Sequence, residues 1–249
     1  MSSIHKQVMQ KNIEVCFSPA LIDYYDITGR NVVLIDILRA TTTICTAFEW
    51  GVKEIIPVAS EEEARLYKQR GFIVAGERDG KVLEFADFVN SPFNVMNEKI
   101  KDQTIAYCTT NGTKAVAAAK NATSLIIGAY INFSAVVSFL EKDKRDVLLL
   151  CSGWKNRFNI EDTLFAGALC DRLCADGNFI PGGDAAIVSA DLWNLEKGDL
   201  PGYIDKCDHR KRLQKLGLDD VIAFCHTFDK TSKLPILKGN SIIEANEAL

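Results

Sequence analysis

The stretch VVLIDILRATTTICTAFEWGVKEIIPV, residues 32–58, decides the fold class of this chain. It begins with an apolar, β-branched run, passes through a threonine-rich turn into a helical pattern, and ends in a second β-branched run. A strand, a helix and a strand in this order form a βαβ unit, which joins parallel strands. The stretch therefore predicts an α/β protein.

The same plan recurs about 70 residues further on, in TIAYCTTNGTKAVAAAKNATSLIIG, residues 104–128. A third strand, loop and helix begin at residue 146, and another apolar strand is predicted at residues 72–75. The run at residues 185–190 fits a strand or a helix. We interpret residues 1–249 as one domain, with two fused lobes that meet near residues 130–145 as the alternative.

Local patterns mark helix boundaries. Ser60 and Glu63 have capping-box spacing, and Gly71 suits the end of that helix. A longer helix is predicted over residues 161–175. From about residue 208 the pattern predicts one basic helix followed by irregular chain.

Composition limits the classes of function. The chain is 47% hydrophobic and 25% charged, with a net charge of −4, so no global positive field attracts nucleic acid. No apolar run reaches the roughly 18 to 20 residues that cross a bilayer, and no signal peptide precedes the fold. Eight scattered cysteines without a CxxC pair favour reduced core thiols over a zinc site. We expect a cytoplasmic protein without a membrane partner.

The stretch after the first strand could bind an anion. Threonine hydroxyls there can cap a helix, and the free N–H groups of a helix start favour a bound anion, so Thr41 and Thr42 are candidate substrate ligands. Arg39 can present a bidentate fork to a phosphate or sulfonate. Asp36 is an acid inside an apolar strand, and it is either catalytic or a paired, buried carboxylate.

A second loop, TTNGT, follows the strand at residues 104–108. The Asn-Gly pair permits a tight turn that exposes consecutive N–H groups, a suitable nest for phosphate. The spacing is not that of a Walker A loop. A simple turn remains the alternative. The candidate substrate-binding residues are Thr109, Thr110, Asn111, Gly112 and Thr113.

Two further acidic segments also follow predicted strands. In the first, GERDG, Glu77 is a candidate metal ligand and Arg78 a candidate anion ligand, although a solvated charged turn fits as well. In the second, Glu161 and Asp162 open a helix, where they favour its dipole and could also hold Mg²⁺. Arg157 adds positive charge before them.

Three further segments contain polar residues that are weaker candidates for the functional site. Ser152 lacks a GxSxG elbow, which disfavours a serine hydrolase triad. His209 lies in the basic segment CDHRKRL, where a solvated helix face and a role in proton transfer are both open. The segment NSP, residues 90–92, is either a turn or a polar wall of the site.

Several of these segments occur in one order that resembles a known family. The chain is similar to 2-phosphosulfolactate phosphatases in VVLIDILRATTTICTAFEWGVKEIIPV, AGERDG, NSP, TTNGTKAV and LLLCSGWKNRFNIEDTLFAGAL, and its IEVCFSPAL looks like the family's opening strand. The resemblance covers residues 13–225. It implies a three-layer α/β/α fold with a mostly parallel or mixed sheet. It also implies Mg²⁺-dependent hydrolysis of 2-phosphosulfolactate, a reaction of coenzyme M biosynthesis.

Phosphoryl transfer requires groups that position the substrate and neutralise its charge. We therefore expect Mg²⁺ to be held by carboxylates drawn from Asp36, Glu77, Glu161 and Asp162. Arg39, Arg78 and the loop at residues 109–113 would bind phosphate or sulfonate oxygens. The attacking group is either a metal-activated water or Asp36 itself.

The sequence leaves three further possibilities open. A phosphatase for another small phosphorylated hydroxy acid would use the same residues. A protein of this fold that only binds anions would gain nothing from acids in its pocket, which favours the enzyme. A homodimer is a further expectation, because enzymes of this size often pair.

Overall fold

One mixed sheet of eleven strands runs through the computed structural model. The structure describes residues 10–78, 81–109 and 112–245, without the side chains of residues 81, 113 and 114. The strands are β1 (Lys11–Cys16), β2 (Asn31–Ile35), β3 (Glu54–Val58), β4 (Ile73–Arg78), β5 (Lys81–Val82), β6 (Thr104–Cys108), β7 (Ser124–Gly128), β8 (Val147–Cys151), β9 (Phe179–Pro181), β10 (Pro235–Lys238) and β11 (Ser241–Glu244). Their order in the sheet is β5-β4-β6-β3-β11-β10-β7-β2-β8-β1-β9.

Helices cover the sheet and complete the three-layer α/β/α architecture. They are α1 (Ala40–Glu49), α2 (Glu61–Gln69), α3 (Pro92–Val95), α4 (Gly112–Ala118), α5 (Phe133–Asp143), α6 (Ile160–Cys174), α7 (Asp184–Glu196), α8 (Leu200–Ile204), α9 (Asp208–Lys215) and α10 (Ile222–Cys225). Short 3₁₀ turns span Pro19–Tyr24, Glu98–Ile100 and Tyr130–Asn132. No helix in the described part of the chain is long and apolar enough to cross a membrane.

Two parallel blocks make up the sheet. Strands β4, β6 and β3 form one block, and β7, β2, β8, β1 and β9 form the other. The antiparallel hairpin β10–β11 lies between them and touches each block through one residue pair. The prediction of irregular chain after the basic helix is therefore wrong. The tail supplies the two strands that join the blocks.

The two similar stretches of sequence are interleaved in this sheet. The first stretch runs β2–α1–β3 and the second β6–α4–β7, yet β2 pairs with β7 and β3 pairs with β6. Each unit thus begins in one block and ends in the other. Asp36 and Thr109, the first residues after β2 and β6, occupy equivalent positions in the two units and meet at one cavity.

Most predicted elements are confirmed within a residue or two. Ser60 caps α2 by accepting a hydrogen bond from the Glu63 N–H, and the predicted long helix is α6. The run at residues 185–190 lies within α7, so the strand interpretation is wrong. The predicted lobe boundary falls in α5, and the sheet continues on both sides of it. The single domain itself stays a prediction.

The close packing of α6 on α7 yields a test of the fold. A Cβ on Gly167 would lie 2.0 Å from the carbonyl oxygen of Ser189, a backbone atom that cannot turn aside. We expect Gly167→Ala to lower the free energy of unfolding by about 2 kcal/mol or more, the effect of overpacking a core. Gly198→Ala is the control, because no atom lies within 4 Å of its Cβ position. Urea unfolding curves that coincide for the two variants would contradict this packing.

Candidate active site

Asp36 sits in the tight turn that leads from β2 into α1. The Asp36 N–H donates to Thr41 Oγ1 (3.1 Å), and its Oδ1 accepts from the Ala40 N–H (3.2 Å). The carboxylate therefore caps the start of α1 with one oxygen. Burial raises the pKa of Asp36 to about 6, while the charge of His209 and the Ala40 N–H act in the opposite direction.

The threonines of this turn have structural partners. Thr41, Thr42 and Thr43 are fully buried. Thr42 Oγ1 donates to the Ile37 carbonyl (3.0 Å), and Thr43 Oγ1 donates to the Arg39 carbonyl (2.9 Å). None of the three lines the cavity that Asp36 faces. The hydroxyls of Thr41 and Thr42 hold the turn in shape, and the substrate-binding prediction for these two residues gains no support from this geometry.

Arg39 is a buried cation with an unmatched donor. It is only 5% exposed, and its Nη1 has no hydrogen-bond partner among the described residues. Burial lowers the pKa of its guanidinium, because the charged form is poorly solvated. A buried charge without compensating hydrogen bonds is costly, and a bound anion would relieve that cost.

Asp36 and Arg39 face a small cavity, the first cavity, which has a volume of about 30 Å³. The ends of β2, β4, β6 and β8 all lead into it. The lining residues are Asp36, Leu38, Arg39, Glu77, Asn90, Thr109, Trp154, His209, Arg212, Leu213 and Leu218. Loops that follow four strands therefore meet at one cavity, although the strands come from two blocks.

The end of β4 contributes Glu77 but not Arg78. Glu77 is 8% exposed and lines the first cavity. Consecutive residues of a strand point to opposite faces, and Arg78 turns away. Its Nη2 donates to the Ala59 carbonyl (2.9 Å) and contacts Cys108 Sγ (3.2 Å). The predicted role of Arg78 as a ligand for the anion has no support in this position.

The NSP segment and the TTNGT loop also supply polar side chains to the first cavity. Asn90 lines the first cavity, and its Oδ1 accepts from the Tyr107 hydroxyl (2.6 Å). Thr109 is buried there, and Gly112 comes so close that a Cβ on it would lie 3.0 Å from Thr109 Oγ1. Of the predicted ligands in the loop, Thr110 and Asn111 lie outside the described residues, as does the side chain of Thr113.

The two acids at the start of α6 have different partners. Asp162 Oδ1 accepts from the Ile37 N–H (2.9 Å), and its Oδ2 accepts from Gly153 N–H and Asn159 Nδ2. Glu161 Oε1 instead pairs with His209 Nδ1 (2.7 Å). Burial raises the pKa of Asp162 well above its usual range, with the charges of Asp36 and Glu161 adding to the effect. Asp162 joins the loops that follow β2 and β8, Glu161 connects α6 to α9, and neither acid lines the first cavity.

Helix α9 brings His209 and Arg212 to the first cavity, where the sequence had left a solvated helix face and a role in proton transfer both open for His209. His209 and Arg212 are three apart, so they share a face of the helix. The guanidinium carbon of Arg212 lies 3.5 Å above the Trp154 ring, and the His209 ring lies 5.7 Å from that ring. The i, i+3, i+4 spacing of His209, Arg212 and the buried Leu213 was the available sign that this face points inward.

A second cavity of about 450 Å³ adjoins the first, and the two share Trp154, His209 and Arg212. Its cationic lining includes Lys206 and Arg157, the latter an exposed residue. Arg157 is thus brought near the site but not into the first cavity. A small ester could occupy both cavities with its charged ends in separate places.

The donor set of the first cavity fits a magnesium ion. Asp36 and Glu77 are the carboxylates that line it, and Mg²⁺ is usually held by one or two carboxylates together with waters and substrate phosphates. No group of three or more His, Cys, Asp or Glu side chains within the described ranges could hold a metal on its own. The larger predicted set with Glu161 and Asp162 is therefore not assembled.

The fold and the first cavity together define an α/β enzyme that handles a small anion at converging strand ends. A family model described as 2-phosphosulpholactate phosphatase matches residues 16–240 of the chain. The chain belongs to this family of phosphoric monoester hydrolases.

Similar proteins cover almost the whole chain. A probable 2-phosphosulfolactate phosphatase of Caldanaerobacter subterraneus subsp. tengcongensis is 36% identical over 226 residues, 89% of this chain and 93% of the relative. A protein of the same description from Thermotoga maritima is 37% identical over 208 residues, 84% and 89% of the two chains. Another from Clostridium tetani is 35% identical over 237 residues, 94% and 100% of the two chains.

Proposed function

We propose that this protein hydrolyses 2-phosphosulfolactate to sulfolactate and phosphate with the help of Mg²⁺. The observation that carries the proposal is the buried guanidinium of Arg39, whose Nη1 has no partner among the described residues. It lines the same cavity as the carboxylates of Asp36 and Glu77. A bound phosphate would give Arg39 Nη1 a partner, and a divalent cation would offset the negative charge of the two carboxylates.

Each side chain has a distinct task in this proposal. Arg39 binds the phosphoryl oxygens, where its fork matches their geometry. Asp36 and Glu77 hold the cation, which relieves the repulsion between two acids facing one cavity. When bound, Mg²⁺ draws negative charge from the phosphoryl oxygens. The reaction then depends mainly on positioning and charge neutralisation, as phosphoryl transfer generally does.

The second cavity provides a place for the rest of the substrate. 2-Phosphosulfolactate carries a carboxylate and a sulfonate besides its phosphate, and the second cavity is lined by Arg157, Lys206 and Arg212. With the phosphate in the first cavity, the other anionic groups would face these cations. This arrangement favours a substrate with several negative charges over a simple alkyl phosphate.

The attacking group is a water molecule or the carboxylate of Asp36. Asp36 lines the cavity and its Oδ1 accepts a hydrogen bond from the Ala40 N–H, so this helix-start donor orients the side chain. A covalent route leaves a phosphorylated Asp36 that can be trapped by rapid acid quench. A direct attack by water leaves no such species.

Phosphate release from 2-phosphosulfolactate tests the function. We expect release that requires Mg²⁺, stops with excess chelator, and resumes when Mg²⁺ is restored. A panel of phosphorylated hydroxy acids with and without a sulfonate then tests the second cavity, and we expect about a tenfold or greater advantage in kcat/KM for the sulfonate, a typical worth of charged hydrogen bonds. Metal-independent release, or none from any ester, would contradict the proposal. Equal rates for all esters would contradict only the proposed preference for a substrate with a sulfonate.

A further inference from the structure

His209 and Glu161 form a buried pair at the edge of the first cavity. Their side chains are 10% and 1% exposed, and His209 Nδ1 lies 2.7 Å from Glu161 Oε1. Burial alone would raise the pKa of Glu161, but the hydrogen bond and the charge of His209 outweigh it and lower the pKa. An ionised Glu161 accepts a hydrogen bond, so the pair holds the imidazole with its Nδ1–H toward the carboxylate.

The orientation of the pair leaves one ring nitrogen for chemistry. With Nδ1 turned to Glu161, Nε2 is the nitrogen of His209 that can serve the cavity it lines. Within the described ranges, no group is hydrogen-bonded to Nε2. The Trp154 ring is a neighbour of the imidazole, with 5.7 Å between the ring centroids and an angle of 30° between the planes.

Proton donation needs a side chain that can carry a proton and give it to the substrate. Among the described residues that line the first cavity, Asp36 and Glu77 are assigned to the cation, and the guanidinium groups of Arg39 and Arg212 are not proton donors in proteins. His209 is the lining residue whose side chain suits the task.

We propose that His209 is the general acid of the reaction: Nε2 donates its proton to the ester oxygen of the leaving alkoxide, and Glu161 is the positioning residue that orients the ring. The inference rests on the proposed function. It adds the group that the phosphatase reaction requires but that no carboxylate of the first cavity supplies.

The step balances in atoms and charge. The P–O bond to the ester oxygen breaks, its electron pair stays on that oxygen, and the oxygen takes the proton from Nε2 to become the hydroxyl of the product. Phosphorus gains an oxygen from water, either directly or by later hydrolysis of a phosphorylated Asp36. That water releases one proton to solvent, and His209 takes one back, so the sum is ester plus water giving hydroxy acid and hydrogen phosphate.

The experiment compares esters that differ in the basicity of the leaving alkoxide. His209→Asn keeps an N–H donor for Glu161 but has no proton to transfer. We expect it to lower kcat on 2-phospholactate by about 10²- to 10³-fold, the usual worth of general acid catalysis. On 3,3,3-trifluoro-2-phospholactate, whose alkoxide leaves readily without a proton, we expect a loss below about tenfold. Lys211→Gln, on the exposed side of α9, is the control and should match the unaltered protein on both esters.

A second measurement uses the proposed substrate itself. Free imidazole should restore turnover of 2-phosphosulfolactate to His209→Ala, because it can enter the vacated space and donate the proton. Equal losses on both esters, or a folded His209→Ala protein that imidazole does not rescue, would overturn the inference and leave the phosphatase function standing. If the unaltered protein released no phosphate from 2-phosphosulfolactate, the result would contradict the proposed function itself, and with it the inference on His209.

Discussion

Asp36→Asn is expected to lose nearly all turnover and, at the same time, to make the metal-free protein more stable. The variant lacks the carboxylate that holds the cation or attacks phosphorus. Removal of such a group usually lowers kcat by about 10³-fold or more. Asn can still accept the hydrogen bond from the Ala40 N–H, which Asp36 Oδ1 accepts at 3.2 Å, so the turn into α1 should persist.

The gain in stability follows from the raised pKa of Asp36. The folded protein keeps a proton on this carboxyl up to pH about 6, whereas the ordinary value is 3.8. The free energy of unfolding therefore falls as the pH rises from about 4 to about 6, and above that range the ionised group costs about 3 kcal/mol. Asp36→Asn removes the cost, which corresponds to an unfolding midpoint higher by about 5 °C or more at pH 7.

Thermal unfolding with and without Mg²⁺ shows whether the gain in stability of Asp36→Asn comes from the loss of a metal-binding carboxylate. Adding Mg²⁺ should raise the midpoint of the unaltered protein, because a ligand that binds the folded state stabilises it. The same addition should move the midpoint of Asp36→Asn much less. A variant less stable than the unaltered metal-free protein at pH 7 would contradict the assignment of Asp36 as a destabilising, functional acid.

Arg39→Met is expected to have the second large effect. Met fills a similar volume without charge, so the phosphoryl oxygens lose their bidentate partner, and we expect kcat/KM to fall by about 10³-fold. Arg39→Lys should recover little of the loss, because an ammonium group cannot form the planar fork. The metal-free protein should be no less stable, since a buried cation with an unmatched donor is removed.

Arg65→Met is the matched control for Arg39. Arg65 is exposed on α2, where it pairs with Glu61, and it lies away from both cavities. Its removal should leave kcat/KM within about twofold. Binding of inorganic phosphate, followed by calorimetry in Mg²⁺, should be lost in Arg39→Met and kept in Arg65→Met. Retained phosphate binding in Arg39→Met would place the anion elsewhere.

The sequence predicts most of the parallel part of the sheet, because most of its strands are continuous apolar runs, whereas the three-residue β9 was missed. It also places Asp36, Arg39 and Glu77 at strand ends, where ligands bind in α/β folds. The hairpin β10–β11 was missed, since PILK and SIIE are short and mix charge with apolar residues. Gly239 and Asn240 between them were a hairpin signal, and Gly239 has a positive φ of 61°.

The roles of the remaining acids depend on contacts far apart in the chain. Glu161 meets His209 from 48 positions away, and Asp162 receives the Ile37 N–H from 125 positions away, so local spacing could not separate them. The different surroundings of Glu77 and Arg78 follow from the sequence itself. Glu77 and Arg78 are consecutive on one strand, and alternation allows only one of them to face the cavity.

Phosphate release from 2-phosphosulfolactate in Mg²⁺, measured side by side for the unaltered protein, Asp36→Asn and Asp23→Asn, is the most direct test of the site. Asp23 is an exposed acid outside both cavities and controls for the loss of one carboxylate. We expect the unaltered protein and Asp23→Asn to release phosphate at the same rate, and Asp36→Asn to be slower by about 10³-fold or more. Substantial release by a folded Asp36→Asn protein would show that hydrolysis does not take place at the first cavity.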